Sequence, residues 1–265
     1  LLKARGWAWP AHVHVFNTAG WSLKKLPGLP AVRIWGRALT SSADSQERPL
    51  KEGSIILPDS ADAMGLEVAI FHGSREGHCP PWQAMTAPFS DREVAHSPFS
   101  YHAVGHYHVP SLIEQKATQQ NVSTAGKGVS GAASGGVRLA YAGSAVALEP
   151  TETGAHGAIE VRVEYGQRQP VVEVERIELD ERRVHDLEAD VTGAASAEQV
   201  DARVQRAMEE AGVTERDIVT VRLVGRLARG VRYAAPGERL RPRAFHVGLD
   251  ARAVRPDYDL ASYRR

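Results

Sequence analysis

The chain predicts an α/β fold: a layered α/β unit over residues 1–180, followed by a small α+β unit over 181–265. Three observations carry that expectation. First, two short apolar stretches, LEVAIF at 66–71 and FSYHAV at 99–104, run straight into turns bearing glycine and histidine, and strand ends of this kind are where layered α/β folds build their sites. Second, residues 158–165 and 171–179 alternate with period two and read as a strand pair around Gly166. Third, one amphipathic helical segment beyond residue 180 is followed by short apolar runs.

In chain order, residues 1–10 read as the tail of a helix stopped by Pro10. HVHVF at 12–16 alternates like a short strand. Proline and glycine within 21–30 mark a loop or hairpin, and AVRIWGRAL at 31–39 is a further strand. Residues 41–53 are polar and loop-like. Strands follow at 66–71 and 99–104. About 116–137 the chain is rich in Gly, Ser, Thr and Ala, with almost nothing large and apolar, and predicts a flexible surface loop. A strand resumes at 137–142 and turns at Gly143-Ser144. The best helix spans 196–211: Ser196 with Gln199 forms a capping box, Val200, Val204, Ala207, Met208 and Ala211 share one face, and Gly212 stops it. Strands at 218–224 and 244–249 complete the small unit.

Bulk properties bound the function classes. Of 265 residues 43% are hydrophobic and 24% charged, which is enough apolar material for a folded core. Acidic and basic residues balance at 32 each, so only local clustering can speak for nucleic acid. A single cysteine, Cys79, excludes an intrachain disulfide framework. No apolar run reaches the roughly 18 residues of a membrane span, and no signal peptide opens the sequence, so a cytoplasmic protein without membrane contact is expected. The sequence opens at Leu1 without methionine and reads as the middle of a domain, which predicts a truncated chain.

Two histidine motifs carry the chemistry. In Gly105-His106-Tyr107-His108, residues two apart on an extended segment face the same side, so two imidazoles can serve one ion or neighbouring ions. The bland alternative is a pair of polar residues at a strand end. His72-Gly73 adds a second histidine after a second strand, and the two motifs in this order say more than either alone. His78 and Cys79 read as loop residues. His12, His14, His96 and His102 read as structural or surface residues.

Residues 65–150 resemble the calcineurin-like metallophosphoesterases, and more closely their SbcD-like DNA-repair exonuclease branch. The resemblance rests on HGS at 72–74, APFS at 87–90, AVGHYH at 103–108, YAGS at 141–144 and ETG at 152–154, with 12–16 and 32–39 similar to the family's strand and Gly-Arg-Ala segment; it covers most of 9–180, is specific there and is looser beyond. It implies part of a four-layer α-β-β-α sandwich, followed by a capping domain that positions DNA. It implies two divalent ions, manganese foremost, that clamp and polarise a phosphodiester and activate a bridging water. His72 and His106 would bind one ion and His108 the other. An SbcC-type ATPase partner and a homodimer are implied as well. The family's Asp-x-His, Gly-Asp and Gly-Asn-His motifs do not occur before residue 60, and His12-Val13-His14 is no substitute. The bridging aspartate and the catalytic acid are therefore expected upstream of Leu1. The chain is read as a fragment that binds metal weakly and catalyses little or nothing alone.

In the small unit IVTVRLVGRL at 218–227 resembles the capping region. Arg222, Arg226, Arg229 and Arg232 are its candidate DNA contacts, within a run that also holds Arg239, Arg241 and Arg243. A solvated polar face is the alternative. Tyr233 and Phe245 are candidates for base stacking, with core packing expected of Phe245. Two other functions stay open: a metallophosphoesterase acting on nucleotides or small phosphodiesters, and a non-catalytic binding scaffold. HGS is not a G-x-S-x-G elbow, which disfavours a serine hydrolase.

Overall fold

The computed structural model describes residues 9–53, 55, 65–79, 84–114, 136–165, 170–231, 233, 240 and 243–256. Within them strand accounts for 41% and helix for 13%, so sheet faces carry the cores of this mixed α/β protein. No helix among these residues is long and apolar enough to cross a membrane. The chain divides into two compact units, one of residues 1–143 and 159–176, the other of 144–158 and 177–265.

The first unit is built on a six-stranded sheet. Its strands are β1 (Ser22–Leu26), β2 (Leu29–Gly36), β3 (Leu66–His72), β4 (Tyr101–Gly105), β5 (Ser111–Glu114) and β6 (Val137–Tyr141). Their order is β1-β2-β3-β4-β6-β5. The four central strands are parallel, and β1 and β5 close the edges antiparallel. Side chains alternate along β3. Leu66 and Val68 point to one apolar cluster with Tyr101, Ala140 and Val172, whereas Ala69 and Phe71 join a second with Trp35, Phe89, Phe99, Leu139 and Tyr141. The first cluster is completed by Ile159, Val163 and Val174 from a two-stranded ribbon of β7 (Gly157–Tyr165) and β8 (Pro170–Glu178). The second receives Val94 from α1 (Asp91–His96). A six-residue helix is marginal alone, and Ser90 and Glu93 stabilise it with a full capping box.

Glu67 is the polar exception on β3. It is buried, and its carboxylate accepts from Trp35 Nε1 at 2.6 Å and Arg33 Nε at 2.6 Å, so the charge enters the sheet fully partnered.

The second unit holds a three-stranded parallel sheet of β9 (Val184–Asp190), β10 (Ile218–Leu227) and β11 (His246–Pro256), ordered β11-β10-β9. The helix α2 (Ala197–Glu210) connects β9 to β10. Val200, Val204 and Met208 pack with Val219, Val221 and Leu223. Ser196 caps the helix by accepting from Gln199 N, while the Gln199 side chain accepts from Ala195 N rather than from the cap residue. Its end is a Schellman motif, with Val213 N donating to Met208 O and Gly212 N to Glu209 O.

Several expectations shift. Residues 12–16 form no strand; the alternating HVHVF runs as extended coil, with Phe16 lying over Gly36. The 21–30 segment is the β1–β2 hairpin. β5, β9 and α1 are additions. Residues 1–8, and most of the segment read as a flexible loop, lie outside the described residues.

Candidate metal centre

Because β3, β4 and β6 are parallel, their C-terminal ends share one edge of the sheet. His72 pairs in register with Gly105, and Val104 with Tyr141. Three separated sequence motifs thereby meet: His-Gly-Ser after β3, Gly-His-Tyr-His after β4 and Tyr-Ala-Gly at the end of β6.

The imidazoles of His72 and His106 are in contact. His106 Nδ1 lies 3.0 Å from His72 Nε2, with ring centroids 4.8 Å apart and ring planes at 73°. One ring donates N–H and the other accepts. Two imidazole nitrogens bound to one first-row divalent ion, each at about 2.1 Å, also sit roughly 3 Å apart, so the observed separation is one that a shared ion, lying to the side of the N···N line, would require. Burial lowers the pKa of His72. For His106 the lowering comes first from burial and then from the charges of His72 and His108. Both shifts favour neutral imidazole, the form that binds metal.

His106 adopts φ 130°. A non-glycine residue there is strained, and such strain persists only where the surroundings over-determine it, commonly at functional sites. The surroundings here are tight. Gly73 N donates to Gly105 O at 3.2 Å, and Gly73 O accepts from Tyr141 Oη at 2.7 Å. A Cβ on Gly73 would lie 2.6 Å from Ala87 O, and one on Gly143, at φ 80°, would lie 2.5 Å from His108 O. The Tyr107 ring contacts those of His106 and Tyr141 at 5.0 and 4.8 Å, and its hydroxyl donates to Arg75 O at 3.3 Å. Burial raises the Tyr141 pKa beyond its ordinary value, so the hydroxyl stays a donor. Arg75 is buried and holds Asp91 through two bonds of 2.6 and 2.7 Å. Ala-Pro-Phe-Ser is structural: Phe89 N and Ser74 O bond at 3.0 Å, and Ser90 caps α1.

His108 is exposed on the same turn. Among the described residues no group of three or more His, Cys, Asp or Glu side chains converges to hold an ion, so His108 does not join the His72–His106 pair in one cluster. His102 is a core residue: fully buried, it contacts Ser97 Oγ at 2.7 Å through Nε2 and donates from Nδ1 to Arg138 O at 2.8 Å. Tyr107 and Tyr141 sit inside motifs visible in the sequence, yet nothing in a linear pattern signals that their hydroxyls reach back to the His-Gly-Ser turn.

In the second unit, Glu152 of the Glu-Thr-Gly motif is buried and accepts from Leu148 N at 2.8 Å. His156, unremarked in sequence, is buried, accepts from Ser144 Oγ at 2.9 Å and donates to Glu152 O at 3.2 Å. Both close one loop.

The described arginines differ in their surroundings. Arg222 projects from β10 among acids: Asp186 Oδ2 is 3.7 Å away, and its register neighbours are Glu188 and Asp250. Arg226 is exposed beside Arg255 on β11, and Arg229 is exposed in the turn after β10. Arg243 pairs with Glu209 at 2.8 Å. Arg232, Arg239 and Arg241 lie outside the described residues. The aromatic expectation is reversed. Phe245 is 62% exposed, with the Arg182 guanidinium 4.1 Å from its ring centroid, whereas Tyr233 packs against the core and donates to Asp201 Oδ1 at 2.6 Å. No protein-family model and no curated protein matches the sequence.

Proposed function

We propose that this chain carries the histidine half of a two-metal phosphoesterase centre of the DNA-repair exonuclease kind. His72 and His106 hold one divalent ion, manganese foremost, and His108 serves the second. The observation that carries this reading is the pairing of His72 Nε2 and His106 Nδ1 at 3.0 Å, on a strained backbone, where three motifs of the metallophosphoesterase pattern converge. When bound, such ions polarise a phosphodiester and lower the pKa of water. The chain's own residues present neutral imidazoles at a sheet edge, fix their directions and leave His108 open to solvent. Three imidazoles do not offset two divalent charges, so a competent centre draws acidic ligands from beyond these three motifs. The finer architecture proposed is the sheet-and-helix part of a four-layer sandwich, with 181–265 as a capping unit that contacts DNA through Arg226 and Arg229. An SbcC-type ATPase partner and a homodimer belong to the same proposal.

The test is the coding sequence in frame before Leu1. Codons for Asp-x-His, Gly-Asp and Gly-Asn-His there support the reading, and His106→Ala in the complete protein then abolishes manganese-dependent cleavage of DNA. A complete upstream domain without those acids contradicts it. The acids around Arg222 favour one second reading, a phosphoesterase for nucleotides or small diesters. A large drop on DNA but not on a small chromogenic diester, after neutralising Arg226 and Arg229, favours the first reading, and loss on neither substrate favours the second.

A further inference from the structure

We propose that Tyr141 and Tyr107 are positioning residues for the histidine pair, acting through their hydroxyls, with Tyr141 setting the direction of His72 and Tyr107 that of His106. The inference rests on the metal-ligand reading of those histidines and extends it to residues that touch neither ion nor substrate.

His72 is the last residue of β3, where the ladder stops restraining the backbone. The following residue, Gly73, is held on both sides: its N–H by Gly105 O at 3.2 Å and its carbonyl by Tyr141 Oη at 2.7 Å. Tyr141 comes from β6, two strands away, and is fully buried. Its hydroxyl thus reaches under β4 to fix the peptide that follows His72. A buried hydroxyl loses its water, so a well-aimed acceptor is needed for it to be tolerated there. A phenylalanine would fill the same apolar site without that demand.

Tyr107 occupies the position between His106 and His108. Its ring lies 5.0 Å from that of His106 and 4.8 Å from that of Tyr141, and its hydroxyl anchors to Arg75 O at 3.3 Å. That anchor immediately follows the strained His106, while the β3–β4 register holds Gly105 immediately before it. The two phenols thus tie the Gly-His-Tyr-His turn and the Tyr-Ala-Gly turn to the same His-Gly-Ser-Arg segment. Groups bonded directly to a ligand imidazole hold it in direction, and their removal weakens metal binding by about 10–100-fold; these phenols act one peptide further out, through the backbone that carries the ligands, so the lower end of that range applies.

The experiment uses the full chain and the variants Tyr141→Phe and Tyr107→Phe, which keep the rings. Mn2+ binding is measured by calorimetry, and the ring-nitrogen chemical shifts of His72 and His106 are measured in the metal-free protein. Tyr233→Phe is the control, because it removes a phenol hydrogen bond to Asp201 in the other unit. Expected are a loss of about tenfold or more in Mn2+ affinity and shifted histidine resonances in both site variants, with neither change in the control. Site variants that bind Mn2+ like the parent, with unmoved histidine resonances, overturn the proposal. A parent chain that binds no Mn2+ refutes the ligand reading instead. The metal-free resonances then still decide: moved in the site variants they sustain the positioning role, and unmoved they overturn it.

Discussion

Replacing His106 with alanine and with glycine should rank the two variants in the reverse of the usual order. Both changes delete the imidazole, so their difference isolates the backbone. Alanine must still adopt φ near 130°, whereas glycine adopts it freely. The strain at such a position is about 1–3 kcal/mol. Glycine's greater freedom in the unfolded chain offsets roughly 0.4–1 kcal/mol of the relief. His106→Gly should therefore be more stable than His106→Ala by up to about 2.6 kcal/mol, each kcal/mol raising the melting temperature by roughly 2–4 °C for a unit of this size. The assay is urea unfolding followed by tryptophan fluorescence. All five tryptophans fall within the first unit, so the signal reports the unit that contains His106. An alanine variant more stable than the glycine variant would refute strain at His106.

Other expectations follow from the same geometry. Burial holds the His102 pKa down at about 4, against about 6.5 in an unfolded chain. The folded value is the lower one, so the contribution is whole above about pH 6.5 and is lost as pH falls toward 4, about 3 kcal/mol in all; His102→Gln should flatten that part of the stability–pH profile, and an unchanged slope would count against a neutral buried His102. Gly73→Ala should destabilise the first unit by about 1–3 kcal/mol, because the new Cβ meets a backbone oxygen, Ala87 O, at 2.6 Å; a thermal melt equal to the parent's would show that the turn yields. Neutralising Arg226 and Arg229 together should weaken duplex DNA binding and reduce the slope of log K against log salt by about 2. Arg222→Ala, whose charge is paired with Asp186 and lies in register with Glu188 and Asp250, should change that slope little. Equal effects at all three arginines would count against this division.

Much of the sheet was legible because its strands carry their own pattern. LEVAIF and FSYHAV each carry apolar residues on both faces, as a central parallel strand does, and they correspond to β3 and, two residues further on, β4, with Glu67 and His102 admitted only as hydrogen-bonded polar groups. The α2 helix was legible from its cap, its apolar stripe and its glycine stop. HVHVF misled because alternation alone does not supply a neighbour to pair with, and residues 12–16 found none. β9 was missed because an edge strand exposes Asp186 and Glu188, which read as loop. β5 is four residues long and pairs antiparallel with β6, a partner that only tertiary structure provides. At the site, His72 and His106 were legible as strand-end histidines, but the 3.0 Å approach of their nitrogens depends on register between strands 34 residues apart in sequence. The hydroxyls of Tyr107 and Tyr141 and the strain at His106 have no linear signature. Phe245 and Tyr233 exchanged places because apolarity predicts burial only on average, and a tyrosine with a buried acid partner packs inward readily.

If His72 and His106 together hold a divalent ion, each imidazole is needed for its uptake. The most direct measurement is the loss of the free-Mn2+ electron paramagnetic resonance signal on titration into the full chain, repeated for His72→Ala, His106→Ala and His102→Gln. Weak but saturable uptake is expected of the parent chain, with affinity lower by about tenfold or more in each of the first two variants and retained in His102→Gln. Uptake that is the same in all four proteins, or absent from the parent, would contradict a shared ion.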